Sequence, residues 1–220
     1  MAGERSAAYF EKLERQLYTP VLGDILDGLG HTTQFLPAGI RSMRPGMPLA
    51  GRAFPVTIAD TDGAPERPFG LLTDAVDALA AGDVYIASGG RGGYALWGEL
   101  LTAAARARGA RGAVVNGNHR DTPQVLEQSW PVYSEGGYAQ DISIRGEVVA
   151  FGEPIRFGAV SVARGDLVFA DDDGVLIVPA EVEDRVVALA LEKASTESEV
   201  RSAIEGGMTV TEAFRTFGVL

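Results

Sequence analysis

The sequence predicts a single α/β domain, a central α/β unit with a packed β layer and helices at both chain ends. Three observations carry this reading. Up to Pro131 helical and strand-like hydrophobic periods alternate; beyond it come short β-rich segments punctuated by Gly, Pro and Asp; and no Pro/Ser-rich linker, charge block or internal repeat divides the two stretches. With 220 residues, 46% of them hydrophobic and 22% charged, the chain has material for a substantial core, so one domain spanning residues 1–220 is expected.

The elements follow in order. Residues 4–17 place Tyr9, Phe10, Leu13 and Leu17 at helical spacing among charges. Thr19-Pro20 reads as an N-cap and first turn for a second helix through Leu29, closed by Gly30. Leu49 to Ile58 is β-rich, as are VYIAS (84–88) and AVVNG (113–117), with a helix from about Gly98 to Arg108 between the last two. After Pro131 the strands EVVAF, AVSVA, LVFA and VLIVP are expected, the last two joined by a hairpin turn at Asp171-Asp172-Asp173-Gly174. That acidic run also resembles half a calcium loop, but the spacing and final Glu of an EF-hand are missing. A charged helix from about Ala180 to Ile204 ends at Gly206-Gly207, and a short one runs from Thr211 to Phe217.

Composition excludes several function classes. Nineteen Lys and Arg against thirty Asp and Glu give a net charge of −11, a field that repels phosphate backbones and anionic lipid; neither nucleic acid nor a membrane is an expected partner. With no cysteine, thiol nucleophiles, zinc ribbons and iron–sulfur clusters are ruled out. Two histidines, His31 and His119, leave little for a His-rich metal site or a Ser-His-Asp triad, so a metal would be held mostly by oxygen. The charged N-terminal stretch lacks the apolar centre of a signal peptide and no run approaches a membrane span, so a cytoplasmic location is expected.

Chemistry concentrates in residues 89–121, GGRGGYALWGELLTAAARARGARGAVVNGNHRD. The glycines at 89, 90, 92 and 93 suit either a surface turn needing positive φ or a close backbone approach to a ligand; with no Walker signature and no GxGxxG opening a helix, a nucleotide site is disfavoured. Gly98-Glu99-Leu100-Leu101 sits at a helix start, where unpaired N–H groups can receive a carboxylate. Arg120-Asp121 follows a strand end, where α/β ligand sites lie. Arg120 can bind carboxylate and carbonyl oxygen, and Asp121 can hold a hard divalent ion. The same residues also admit a plainer reading, with Asp121 in the cap of a helix at Thr122-Pro123, Arg120 as its ion-pair partner, Glu99 as dipole complementation and His119 as a structural residue.

WGELL, the twenty residues between Glu99 and Arg120, the NGxxRD ending and the later ARGDLVFADDDGVLIVP together resemble the RraA-like family, which includes 4-hydroxy-4-methyl-2-oxoglutarate aldolases. The resemblance extends from TPVLGDILDGLG and PLAGRAFPVT to the C-terminal helix with Glu197 and Arg201. It implies a single-domain β/β/α sandwich of the swivelling type and a class II, divalent-metal-dependent lyase that splits a 4-hydroxy-2-oxo acid into pyruvate and a carbonyl product, with oxaloacetate decarboxylation through the same enolate. On that resemblance the backbone of Gly98, Glu99, Leu100 and Leu101 is the pyruvate-binding turn. Arg120 is the enolate-stabilising group, Asp121 the direct ligand of Mg2+ or Mn2+ or another divalent cation, and Glu99 a further catalytic residue standing where the aldolases have Asp. Glu197 matches an acid presented to a neighbouring subunit's site, in a homotrimer or hexamer with interfacial sites. Specificity for the second half of the substrate falls to loop residues such as Arg91 and Tyr94 and to a neighbour's side chains.

Two functions remain open. Breaking a carbon–carbon bond beside a 2-oxo acid leaves an enolate that a metal and Arg120 would stabilise, with a metal-organised water or Glu99 moving the proton. A Schiff-base route is disfavoured because Lys12 and Lys193 lie in charged helical segments far from the motif. The alternative is a non-catalytic protein-binding regulator of RNase E type, whose members often carry an acid two positions beyond Arg-Asp; Gln124 stands there instead.

Overall fold

The computed structural model describes residues 5–63 and 65–218. Glu4, the expected start of the first helix, and both ends of the expected 1–220 domain lie outside them. Helices α1 (Ala7–Gln16) and α2 (Thr19–Gly28) lead into strands β1 (Arg41–Ser42) and β2 (Leu49–Asp60), followed by α3 (Leu72–Asp77), β3 (Asp83–Gly89) and β4 (Ala95–Trp97). Then come α4 (Glu99–Ala107), β5 (Gly112–Val115), β6 (Asn118–His119), α5 (Thr122–Glu127), β7 (Val132–Ser134) and β8 (Gly136–Gly137). The second half contributes β9 (Gly146–Phe151), β10 (Ile155–Phe157), β11 (Val160–Val162), β12 (Leu167–Asp171), β13 (Gly174–Val178), α6 (Glu183–Glu205) and α7 (Val210–Phe217).

The long strand β2 organises the chain. One side pairs in parallel with β3 over Arg52–Ile58, while the other pairs antiparallel first with β12 and then with β9. Beyond β3 the parallel order continues through β5 to β7, and β1 and β13 form the two ends of this eight-stranded sheet. The strongly apolar β3 and β5 are buried on both faces, as parallel strands require. Alternation sorts the side chains: Phe54, Val56, Tyr85, Ala87 and Val115 face α3 and α4, while Ala53, Val84, Ile86 and Val114 face the β10–β11 hairpin. A third cluster seals α1, α2 and α6 over β12 and β13.

The sheet curls until its ends approach. Arg41 of β1 donates to the carbonyls of Asp172 and Asp173 in the β12–β13 turn, and the Gly46 N–H donates to the Asp172 carboxylate at 2.9 Å. The β-rich second half therefore completes the same sheet, adding β9, β12 and β13 beside β2 and filling the curl with β10–β11. Seven helices cover it among the described residues, and none is long and apolar enough to cross a membrane.

Most expected elements are present within a few residues of their expected bounds, and the acidic run is the expected hairpin, with Asp171 paired to Gly174. Thr19 departs from its expected role. It is the first residue of α2, and its own N–H and Oγ1 donate to the Asp171 carboxylate at 2.7 and 2.6 Å. The cap thus comes from a distant hairpin, which also receives the Asp173 N–H at 3.0 Å on Asp171 Oδ1. A side chain that satisfies an unpaired helix N–H and also pins a turn contributes about 2 kcal/mol. Asp171→Ala is expected to lower the stability read from urea unfolding by that amount, through a lower midpoint at unchanged slope, whereas Asp173→Asn, at an exposed carboxylate, should stay within about 0.5 kcal/mol.

Candidate functional site

Beyond the carboxyl ends of β3, β5 and β7 the chain forms a second, small parallel sheet from β4, β6 and β8. This is where α/β folds place ligands. The Arg120 N–H donates to the Trp97 carbonyl at 2.9 Å, which continues the β4–β6 pairing and sets Gly98 directly against Asp121. A Cβ on Gly98 would lie 2.6 Å from Asp121 Oδ2 and 3.3 Å from Arg120 Cγ. Its φ of −164° is ordinary extended backbone, so the demand for glycine here is purely one of space.

Asp121 holds a left-handed backbone, φ 56°, at a cost on the order of 1 kcal/mol. That conformation separates two roles. Its backbone is the N-cap of α5, as the plainer sequence reading allowed, yet its side chain makes no bond there. Instead Oδ2 accepts the Glu99 N–H at 3.2 Å, at the start of α4. The N–H groups of Leu100 and Leu101, residues that line the neighbouring cavity, have no intrahelical partner, while Thr102 begins the helical bonding with its N–H to the Gly98 carbonyl at 3.1 Å.

Arg120 lies between two carboxylates, with Nη1 3.2 Å from Asp141 Oδ1 and Nε 3.7 Å from Asp121 Oδ2. All three side chains are between 34% and 40% exposed, accessible to a ligand without being free in solvent. Asp141 escaped the sequence reading. It sits in a loop without periodicity, and what brings it in is a single bridge to Ala95, supported by the Ala95 N–H donating to the Gln140 carbonyl at 2.7 Å.

These residues border a cavity of about 210 Å³. Phe69, Leu72, Leu96, Trp97, Leu101 and Ile142 give it a mostly apolar lining. Arg120 and Asp121 also line an open cleft with Thr122 and Tyr138, so the pair borders both cavities. Gly98, Leu100 and Leu101 line the apolar cavity as expected, but Glu99 does not. Its carbonyl accepts from Gln128 at 3.3 Å, and its carboxylate makes no ion pair among the described residues.

Other expected residues are placed elsewhere. The glycine-rich loop is a tight surface turn, with positive φ at Gly89, Gly90, Gly92 and Gly93. Asp60 latches it by accepting the Arg91 N–H at 3.0 Å, Arg91 Nε at 2.9 Å and the Tyr94 hydroxyl at 2.9 Å; these bonds, the Arg91 N–H first, hold the Asp60 carboxyl below its usual range. Arg91 and Tyr94 do not line the cavity. Glu197 lies on α6, where it accepts from Tyr18 and pairs with Lys193 at 3.7 Å, outside the cavity of its own chain. Burial, then Glu197, pushes the Tyr18 hydroxyl up to about 12. Lys12 and Lys193 are likewise on α1 and α6, so no amine lines the cavity.

Among the described residues no group of three or more His, Cys, Asp or Glu side chains could hold a metal ion. An ion here would depend on Asp121, whose half-exposed carboxylate receives one long N–H bond and keeps oxygen lone pairs free. A hard oxygen donor of that kind, completed by water and ligand oxygens, suits Mg2+ or Mn2+.

A family model described as RraA-like, Aldolase/RraA, matches residues 19–177. A Halalkalibacterium halodurans protein named "putative 4-hydroxy-4-methyl-2-oxoglutarate aldolase" is 25% identical over 201 residues, covering 91% of this chain and 90% of that protein. Protein DlpA of Legionella pneumophila is 28% identical over 202 residues and 87% of this chain, but the chain spans only 31% of DlpA's length. Among solved structures, an uncharacterized protein of Pseudomonas syringae pv. tomato matches with a TM-score of 0.82 at 30% identity, covering 94% of this chain and 97% of its own.

His119, just before the Arg-Asp pair, is buried and bonded through Nδ1 to Ser134 Oγ at 2.7 Å and through Nε2 to Thr122 Oγ1 at 3.1 Å. Burial lowers its pKa below 6.5, so in acid the unfolded chain binds the proton more readily than the folded one. The contribution to stability is complete above that value and is lost as the pH falls through the depressed pKa. Thermal midpoints between about pH 7 and about pH 5 should therefore fall less steeply in His119→Asn than in the parent; parallel slopes would contradict this.

Proposed function

The chain belongs to the RraA-like family, and from that premise we propose that it is a divalent-metal-dependent carbon–carbon lyase, cleaving a 4-hydroxy-2-oxo acid of the 4-hydroxy-4-methyl-2-oxoglutarate type to pyruvate and a carbonyl product. Oxaloacetate decarboxylation would pass through the same enolate. The observation that carries the reading is the convergence of Arg120, Asp121 and the unpaired N–H groups of α4 on one rim of an otherwise apolar cavity.

In this reading the substrate carboxylate docks on the Leu100 and Leu101 N–H groups, where the helix dipole favours negative charge. The Arg120 guanidinium faces the 2-oxo oxygen and stabilises it as charge develops; Asp141, holding Nη1, keeps the guanidinium plane from swinging away. The hydroxyl proton on the fourth carbon passes to a carboxylate, for which Asp141 lines the cavity, Glu99 at the start of α4 being the other candidate. The bond between the third and fourth carbons breaks, its electron pair forms the pyruvate enolate, and the enolate takes a proton on its third carbon. Mg2+ or Mn2+ held by Asp121 and water would supply Lewis-acid polarisation of the 2-oxo group. The apolar wall excludes water from the developing enolate and strengthens each of these interactions.

A homotrimer or hexamer with interfacial sites is part of the proposal. Leu100 and Tyr138, 79% and 47% exposed at the openings on either side of the pair, are apolar surface that a neighbouring copy would cover, with Glu197 of a neighbour as a candidate to complete the site. A protein-binding regulator of RNase E type remains the rival reading, and it gives the cavity no role.

Purified protein incubated with Mg2+ and 4-hydroxy-4-methyl-2-oxoglutarate, oxaloacetate or related 2-oxo acids is expected to release pyruvate. Arg120→Ala should cut that release by about a hundredfold or more while shifting the thermal midpoint by no more than a few degrees. Asp121→Asn should remove the dependence on added metal along with most of the activity. Gly98→Ala, which pushes on both side chains, should behave like Arg120→Ala. No metal-dependent pyruvate from any 2-oxo acid would refute the lyase reading.

A further inference from the structure

Resting on the lyase reading, we infer that Arg145 is a positioning residue of the reaction: its guanidinium fixes residues 140 and 141, and through Asp141 it sets the pose of the Arg120 guanidinium. The two carboxylates beside Arg120 are not equivalent. Asp121 stands 3.7 Å from Nε and Asp141 3.2 Å from Nη1. With a divalent cation at Asp121, as the lyase reading has it, that carboxylate is given over to the metal, whose charge repels a guanidinium. Asp141 is then the group that keeps Arg120 aimed at the 2-oxo oxygen, so the placement of Asp141 decides where the positive charge stands. Yet Asp141 lies outside every helix and strand of the fold, and residues 138–140 before it are exposed. A carboxylate on such a segment needs a brace to hold one position.

Arg145 supplies it. Its N–H closes the turn after Asp141 by donating to the Ile142 carbonyl at 2.7 Å, and its carbonyl accepts the Thr61 N–H at 2.9 Å. The next residue, Gly146, opens β9 and pairs with Asp60 of β2, so the base of Arg145 is fixed to the main sheet. The side chain reaches back along the chain, where Nη1 donates to the Asp141 carbonyl at 2.9 Å. With the Gln140 amide in the orientation that gives both of its atoms partners, Oε1 accepts Arg145 Nη2 at 2.9 Å and Nε at 3.2 Å, and Nε2 donates to the Gly93 carbonyl at 3.0 Å. Three nitrogens of one planar guanidinium thus grip two consecutive residues, a task that needs the arginine fork and that a lysine ammonium cannot perform. Gln140 passes the hold on to the glycine loop, itself latched to Asp60. All of these bonds lie within one chain and none uses the Arg120 or Asp121 side chain, so a cation held at Asp121 leaves the brace intact.

Steady-state pyruvate release with Mg2+ and the 2-oxo acid that the parent cleaves fastest tests this. Arg145→Met is expected to lose about tenfold in kcat with KM within about threefold, because Arg120 is needed most as charge develops. In the double variant Arg145→Met/Asp141→Asn, kcat should stay within about twofold of Asp141→Asn alone, since Arg145 then has no carboxylate to place. Arg145→Lys keeps the charge without the fork and should resemble Arg145→Met. A merely structural residue would lower the thermal midpoint without this kcat-specific loss, and its effect would multiply with that of Asp141→Asn. Losses that multiply, an Arg145→Lys enzyme as fast as the parent, or an Arg145→Met kcat within about twofold of the parent would each overturn the inference and leave the lyase reading standing. If Arg145→Met does not fold, Gln140→Leu at an exposed residue decides in its place. A kcat about threefold lower in the parent background with no further loss in Asp141→Asn supports the inference, and any other pattern overturns it. No pyruvate from the parent with any 2-oxo acid overturns the lyase reading, and this inference with it.

Discussion

The site depends on a close approach of two backbone segments: the Arg120 N–H on the Trp97 carbonyl at 2.9 Å, and the missing side chain of Gly98 that lets Asp121 lie against it. The same contact holds the Arg-Asp pair and the start of α4 on one rim. Because it continues the parallel pairing of β4 with β6, it inherits the rigidity of the main sheet, whose strands β3 and β5 run into β4 and β6 across short turns. Both cavities take their polar edge from it.

The local strain fits this arrangement. A left-handed Asp121 would be unnecessary if its carboxylate served α5, since an extended N-cap reaches its own helix without cost. The unusual φ re-aims the side chain at a different helix, and His119, bonded on both ring nitrogens, braces the residue before the pair. A backbone cost accepted where a carboxylate is aimed at a ligand rim is the pattern found at functional sites.

Much of this was legible in the sequence where a single residue type answers a single local demand. Gly98 before an apolar helix, the Arg120-Asp121 pair at a strand end and the acidic hairpin at Asp171–Gly174 belong to that class, since caps and turns are decided within a few residues. What escaped depends on contacts between distant segments. Asp141 reaches the site through one bridge to Ala95, and the strands of the small sheet are two or three residues long, too short for any period to register. Asp171 caps α2 from 152 residues away, where local reading assigned the role to Thr19. The glycine-rich loop stayed open between a surface turn and a ligand approach for the converse reason: positive φ satisfies a latch onto Asp60 as well as it would a ligand, and the partners of Arg91 and Tyr94 decide for the turn.

The acidic balance of the chain acquires a local meaning at this site. The carboxylates nearby are each committed: Asp141 to Arg120, Asp121 to the Glu99 N–H at the start of α4, and Asp60 to the glycine loop. On the proposed lyase reading, the docking of a carboxylate on a protein of net charge −11 rests on the start of α4 and the Arg120 guanidinium lining one cavity.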